Sequence, residues 1–281
     1  MKDHLISLYR FLFARPSLYA LNLHLYKLAL RGLGVLNAEG PVVTGETWLQ
    51  SQFAQHLRPK TIIDVGANLD VYGAEVFPEA KIYACEPHPV TFSRLEKIHS
   101  EDVKNGHITL LNIALSDTAA KMSLYDFADD AELKHTQPTS ALASLSKEVI
   151  EGLHKQKAKS YKVEVKTIDQ VIKEHKLREV DILKIDTEGH EHHVLLGAKQ
   201  ALQRQRIKVI QFEFNEMNVT TRSFLSDFMQ LLPDYMFYRL LPRGVVALGP
   251  YRPLTHELFG FQNIICVRND VVSQLPFLTH N

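Results

Sequence analysis

The chain has 281 residues, 45% hydrophobic and 23% charged, enough to bury a full core as one large domain with an added cap. Thirty-two basic residues balance 32 acidic ones, so no global field recommends nucleic acid as a partner. Cys85 and Cys266 lie in apolar strand-like runs, which argues against a disulfide framework and for reduced core thiols in a cytoplasmic protein.

Residues 1 to 36 read as a helical hairpin. Leu5, Leu8, Tyr9, Leu12 and Phe13 recur at helical spacing, Pro16 suits the first turn of a second helix, and Leu18, Leu21, Leu25 and Leu28 continue the stripe. Arg10, Arg15, Lys27 and Arg31 interrupt it, so it is neither a membrane span of about 20 apolar residues nor a signal peptide. With Lys2 added and only Asp3 opposing, the hairpin is basic enough for a weak contact with an anionic membrane surface. Tyr and Leu on several of its faces favour a helical cap packed on the domain. The expected division is a cap over residues 1–58 and a catalytic domain over 59–281. Residues 45 to 57 read as a structural helix burying Trp48, Leu49 and Phe53.

The stretch from Thr61 to Pro89 organises the rest. Ile62, Ile63 and Val65 form an apolar run that breaks at Gly66, and Lys81 to Cys85 forms another that ends on Glu86. Two buried strands joined by a helix-length crossover, Val71 to Phe77, fit this pattern. In an open parallel sheet the ligand crevice lies beyond the carboxyl ends of the strands, where Asp64, Gly66, Asn68 and Glu86 all fall. Gly66 allows a tight turn, and a carboxylate closing the second strand can accept from two ribose hydroxyls.

Further along, Phe92, Leu95 and Ile98 mark a helix, and His107 to Ala114 a third strand running into Ser116 and Asp117. Asp117 suits either an adenine amino contact or a simple turn. Residues 121–127 and 161–167 alternate in strand fashion, and the polar stretch between them, through Thr139, Ser140 and Lys155 to Lys157, reads as a lid or substrate loop. A helix begins at Ile168, and Val180 to Asp186 is a buried strand turned by Thr187-Glu188-Gly189 into the helix of Val194 to Leu196. Lys208 to Glu213, Phe237 to Leu241 and Asn263 to Val267 are the remaining strands, with a helix at Phe224 to Phe228. Strands alternating with helices from Thr61 onward specify a doubly wound α/β domain.

Five segments, IIDVGAN, KIYACEPHP, LNIALSD, LKIDTEGHEHHVLLGA and IQFEFNEMN, make the chain resemble the FkbM-type methyltransferases, a branch of the class I S-adenosylmethionine-dependent enzymes. The resemblance runs from about Arg31 to Arg268. It implies a Rossmann-like, mostly parallel seven-stranded sheet, bound S-adenosylmethionine, and methylation of a hydroxyl on a sugar, glycan, glycolipid or secondary-metabolite acceptor. Carried over, Asp64, Gly66 and Asn68 fall on the methionine-side loop, Glu86 on the ribose, and Ala114 and Asp117 beside the adenine. Asp186 and Glu188 fall nearest the methyl group and acceptor.

The chain departs from the family where a second glycine usually follows the GAN triplet. Asp70 stands there, an acid facing the methionine carboxylate, and the crossover is about one turn shorter; fold is expected to survive this better than cofactor affinity. A degenerate cofactor-binding module without catalysis is therefore the alternative reading. A nicotinamide-dependent oxidoreductase ranks below it, since Asp70 and the short crossover break GxGxxG.

For the chemistry, an acceptor oxygen must be held in line with the leaving sulfur, and a base within hydrogen-bond reach takes its proton. Asp186 and Glu188 are placed for this, with His190 as an alternative base. Glu188 suits helix capping equally well. His190 and His193 share a helix face and with Asp186 would make a partial metal-ligand set, but HEHH is not HExxH, and the expectation is no metal.

Overall fold

The computed structural model describes residues 2–128 and 142–279. Its strands are β1 (Thr61–Val65), β2 (Lys81–Cys85), β3 (Ile108–Leu111), β4 (Ala114–Leu115), β5 (Ala120–Phe127) and β6 (Ala158–Lys166). They are followed by β7 (Val180–Ile185), β8 (Ile207–Phe214), β9 (Tyr235–Leu241), β10 (Gly244–Ala247) and β11 (Gln262–Arg268). The helices used below are α1 (Lys2–Phe13), α2 (Tyr19–Gly32), α3 (Pro41–Thr44), α4 (Glu46–His56), α5 (Pro89–Ile98), α6 (Ser100–Lys104), α7 (Ile168–Glu174) and α8 (Glu191–Leu196).

The main sheet runs β10-β9-β11-β8-β7-β1-β2-β3. The seven strands from β3 to β9 form the expected Rossmann-like sheet, parallel except for β11, which runs antiparallel to both β8 and β9. An eighth strand, β10, extends the far edge by a tight hairpin with β9. The order reverses between β1 and β7. Chain that leaves β1 builds outward through β2 and β3, and chain that leaves β7 builds the other way, so a crevice opens between their carboxyl ends.

The period of two along each strand sorts the side chains to two cores. Ile62, Ile82 and Ile182 face one layer with Leu49 and Phe53 of α4 and Leu95 of α5. Ile63, Tyr83 and Leu183 face the other, with Ile168, Val171 and Ile172 of α7 and Val194 and Leu195 of α8. β7 lies between both layers and is buried at every position, the charged Asp181 and Lys184 included.

Two expectations are corrected. Residues Val71 to Phe77 form successive turns, not a crossover helix. Gly73, at φ +76°, leaves no room for a Cβ beside the Phe77 ring, which suits a turn and not a helical turn. The third strand stops at Leu111, and Ala114-Leu115 pairs instead with β6 in a separate three-stranded sheet, β4-β6-β5. Asn112 makes the break: its side-chain amide donates to the carbonyl oxygen of Glu86 (2.8 Å), and the chain leaves the main sheet there.

The hairpin of α1 and α2 leaves most of its side chains exposed. Between Leu5 and Leu28 no residue is buried, and Leu30 is the first that is. The lid reading falls partly on Thr139 and Ser140, outside the described residues. Its described end is anchored, since Val149 and Ile150 in one π-helical turn are fully buried.

Candidate active site

The loop leaving β1 is fixed by its neighbours. Gly66 has φ +85°, and a Cβ there would sit 1.8 Å from the main-chain oxygen of Asp186, so glycine is required by the next strand as well as by the turn. The N–H groups of Gly66 and Ala67 both donate to the carbonyl of Cys85 (2.9 and 3.1 Å), and Asp186 N donates to the carbonyl of Val65 (2.9 Å). β1, β2 and β7 thus end as one stitched floor.

Glu86 stands on that floor. Its Oε2 accepts from Asn68 N (2.9 Å) and its Oε1 from His88 N (2.7 Å). Each oxygen keeps a second lone pair, the number two ribose hydroxyls need. Burial pushes its carboxyl up to about 7, against the pull of those two N–H groups. Asn68 adopts φ +50°, the left-handed turn that aims its N–H at Glu86.

Asp64 also holds the loop that follows β1. Its Oδ2 accepts from Tyr72 N (2.8 Å), closing the loop over 66–72, and burial pushes its carboxyl up to about 7.

One cavity is lined by Gly66, Asn68, Glu86, Ala114, Asp186 and Glu188, with Leu115, Leu124, Ala143 and Leu145 as apolar wall. The small sheet provides that wall, and Ser144, bridged to Tyr125, donates from Oγ to the carbonyl of Glu188 (2.9 Å). A second chamber shares Gly66, Asn68 and Asp186 with the first and adds Glu46, Thr47, Gln50, Asp64, Asp70 and Lys184. The two meet at Asp186.

Glu188 sits at φ +54°, an unusual conformation for a glutamate and the kind of local strain that collects at functional turns. Burial, then the negative charges of Asp186 and Glu213, raise its carboxyl well above the usual range. It does not cap the helix. Glu191 pins the turn ahead of the helix, its Oε1 accepting from Thr187 N (3.0 Å), Thr187 Oγ1 (3.1 Å) and Gly189 N (3.0 Å).

Two sequence candidates lie outside the cavity lining. The Nε2 of His190 is 2.8 Å from Ser116 Oγ, its ring stacks on His193 at 4.6 Å, and burial lowers it to about 4, so it is neutral. Asp117 accepts from Ser116 Oγ (2.9 Å) and lines a different surface hollow. Among the described residues no group of three or more His, Cys, Asp or Glu is placed to hold a metal ion.

The structure adds residues the sequence reading passed over. α4 is not only structural. Glu46 at its start accepts from Gln211 Nε2 (2.7 Å) and lies 3.8 Å from Lys184 Nζ, which donates to Asp186 Oδ2 (3.3 Å). Tyr72 OH donates to Gln211 Oε1 (2.9 Å), completing a network beneath the second chamber. Burial opposes the charge on Lys184, but Asp186, Glu46 and Glu213 outweigh it and hold the ammonium above the usual lysine range. A lysine inside the apolar run VDILKID was the available signal, since a buried cation demands a partner.

A strand order that reverses at β1 and β7, a glycine turn there and an acid closing β2 define a Rossmann-like α/β protein with a crevice at the carboxyl ends of its strands. The FkbM methyltransferase domain model matches residues 64–239, more than half of the chain, and the protein belongs to that family. It is 27% identical over 150 residues to the hexuronic acid methyltransferase AglP of Haloferax volcanii, covering 53% of this chain and 54% of the relative. It is also 24% identical over 192 residues to the 2-O-methyltransferase NoeI of Sinorhizobium fredii, covering 66% and 75%. The chain spans about half the length of the first of these. Among solved structures, the methyltransferase FkbM of Methylobacillus flagellatus aligns over 74% of this chain and 44% of its own, with TM-score 0.45 and 13% identity. No helix among the described residues is long and apolar enough to cross a membrane.

Proposed function

We propose that this protein is an S-adenosylmethionine-dependent O-methyltransferase acting on a hydroxyl of a sugar, glycan, glycolipid or secondary-metabolite acceptor. The observation that carries the reading is Glu86, held by two backbone N–H groups inside a cavity whose other end is Asp186. The residues present fit the cofactor. Glu86 takes the ribose hydroxyls, Ala114, Leu115 and Leu124 make an apolar slot for the adenine, and Gly66 and Asn68 line the cavity toward the methionine end. Asp117, on this account, buttresses the adenine wall through Ser116.

When bound, S-adenosylmethionine supplies an electrophilic methyl group to the acceptor oxygen. The second chamber holds the acceptor, where Thr47, Gln50 and the carboxylate rim hydrogen-bond hydroxyl groups. Asp186, common to both chambers and anchored by Lys184, orients the acceptor oxygen. Glu188, made more basic by its burial, receives the hydroxyl proton. His190 supports the turn through Ser116, and as a neutral buried imidazole it is the weaker base. Asp70 faces the acceptor chamber, so the departure that suggested a degenerate module reshapes the acceptor side of the site.

Calorimetric titration with S-adenosylmethionine and with NAD tests the cofactor, with binding of the first alone expected. A screen of glycan and polyketide hydroxyls with labelled donor then tests the reaction. Binding of S-adenosylmethionine without transfer to any hydroxyl would favour the cofactor-binding module; binding of neither would overturn the reading.

A further inference from the structure

The N-terminal hairpin has no place in the reaction, yet it carries a large exposed apolar surface. Between Leu5 and Leu33 most of its large side chains are uncovered, Phe11 to 71% and Tyr19 to 69%, while Leu30 is buried. The unit is closed on itself. Tyr9 OH donates to Asn22 Oδ1 (3.1 Å), Asn22 Nδ2 donates to the carbonyl of Phe13 (2.8 Å), and Tyr9 stacks on Phe13 at 4.8 Å. It is also tied to the domain at one end, where Val35 is buried and Leu36 N donates to the carbonyl of Phe261 (2.8 Å). A preformed apolar surface of this kind marks an interaction site.

Charge identifies the occupant. Arg10, Arg15 and Lys27 lie on the hairpin, Arg31 being paired with Glu39, against Asp3 as the one acid in α1 and α2, in a chain whose total charge is zero. A second copy would bring like charges together, whereas an anionic surface would complement them. The helices have 12 and 14 residues, roughly 18 and 21 Å at 1.5 Å per residue, short of the roughly 30 Å needed to span a bilayer.

We propose that α1 and α2 lie on an anionic lipid surface, with Leu, Phe and Tyr side chains in the boundary between headgroups and acyl chains and the basic side chains on lipid phosphates. The hairpin then acts as a peripheral anchor for the methyltransferase domain.

The full-length protein should co-sediment with phosphatidylcholine vesicles containing phosphatidylserine, less so without it, and raised salt should weaken the association. Lys27→Gln should weaken it about fivefold, and Arg10→Gln, Arg15→Gln and Lys27→Gln together about 100-fold, at about 1 kcal/mol per basic residue. These exposed changes should leave the unfolding temperature of the domain unaltered. Equal binding to neutral vesicles, or no binding by the folded protein, would overturn the proposal. So would a dimer that Phe11→Ser dissociates and that ignores vesicles, since the occupant would then be a second copy.

Discussion

The main-chain N–H of Asn68 donates to Glu86 Oε2 across 2.9 Å, so the loop after β1 and the acid that closes β2 are one unit. Glu86→Ala removes the ribose acceptor and the anchor of the loop together. It should weaken S-adenosylmethionine binding by about 1.5 to 3 kcal/mol, read by calorimetry.

The same carboxyl predicts a pH dependence. Burial pushes Glu86 up to about 7 in the free protein, while hydroxyl donors favour its ionised form. Binding must therefore expel a proton below that value, and affinity should fall as pH drops from 8 to 6, by at most about tenfold per unit. Glu86→Gln should bind weakly with the slope removed; an unchanged slope would assign the titration to another group.

Lys184 is the cation of the network under the acceptor chamber. Lys184→Met would leave Asp186 and Glu46 without it, and since both carboxylates keep some contact with solvent the loss should be about 1 to 3 kcal/mol, measurable by urea unfolding. Glu46→Gln keeps the hydrogen-bond geometry toward Gln211 and should cost less.

Gly66 is the tightest point between β1 and β7. In Gly66→Ala the new methyl would meet the Asp186 carbonyl at a positive φ, so the end of β7 must move. We expect a loss of about 3 kcal/mol or more in stability, together with loss of donor binding.

Asp186→Asn should keep the fold and much of the donor affinity but slow turnover by about 10² or more, with a genuine acceptor in a labelled-donor assay. Near-normal turnover would remove Asp186 from the chemistry.

His190 reports on acid stability. Its imidazole is lowered to about 4, so the unfolded chain binds its proton first. The stability it contributes is whole above an unfolded value of about 6.5 and is lost as pH falls toward 4, roughly 1 to 3 kcal/mol. His190→Gln should shrink the difference between urea midpoints at pH 7 and pH 4.5.

Local sequence determined much of this protein. A run ending at Gly66, an acid ending the next run at Glu86 and the strand VDILKID placed three carboxyl ends around one crevice, because strand direction and a period of two are local properties. The helical spacing of residues 5 to 28 likewise specified the hairpin. Tertiary structure decided what those elements touch. Register sets Asp64 opposite Lys184 and Lys184 opposite Gln211 on three neighbouring strands, and α4 delivers Glu46 to them from far along the chain. Likewise Ala114-Leu115 left the main sheet because β6 offered it hydrogen bonds there, and the hairpin stayed uncovered because no other part of the described chain packs over it. Such pairings depend on contacts between distant segments, and a one-dimensional pattern of apolar and polar residues does not encode which distant segment will arrive.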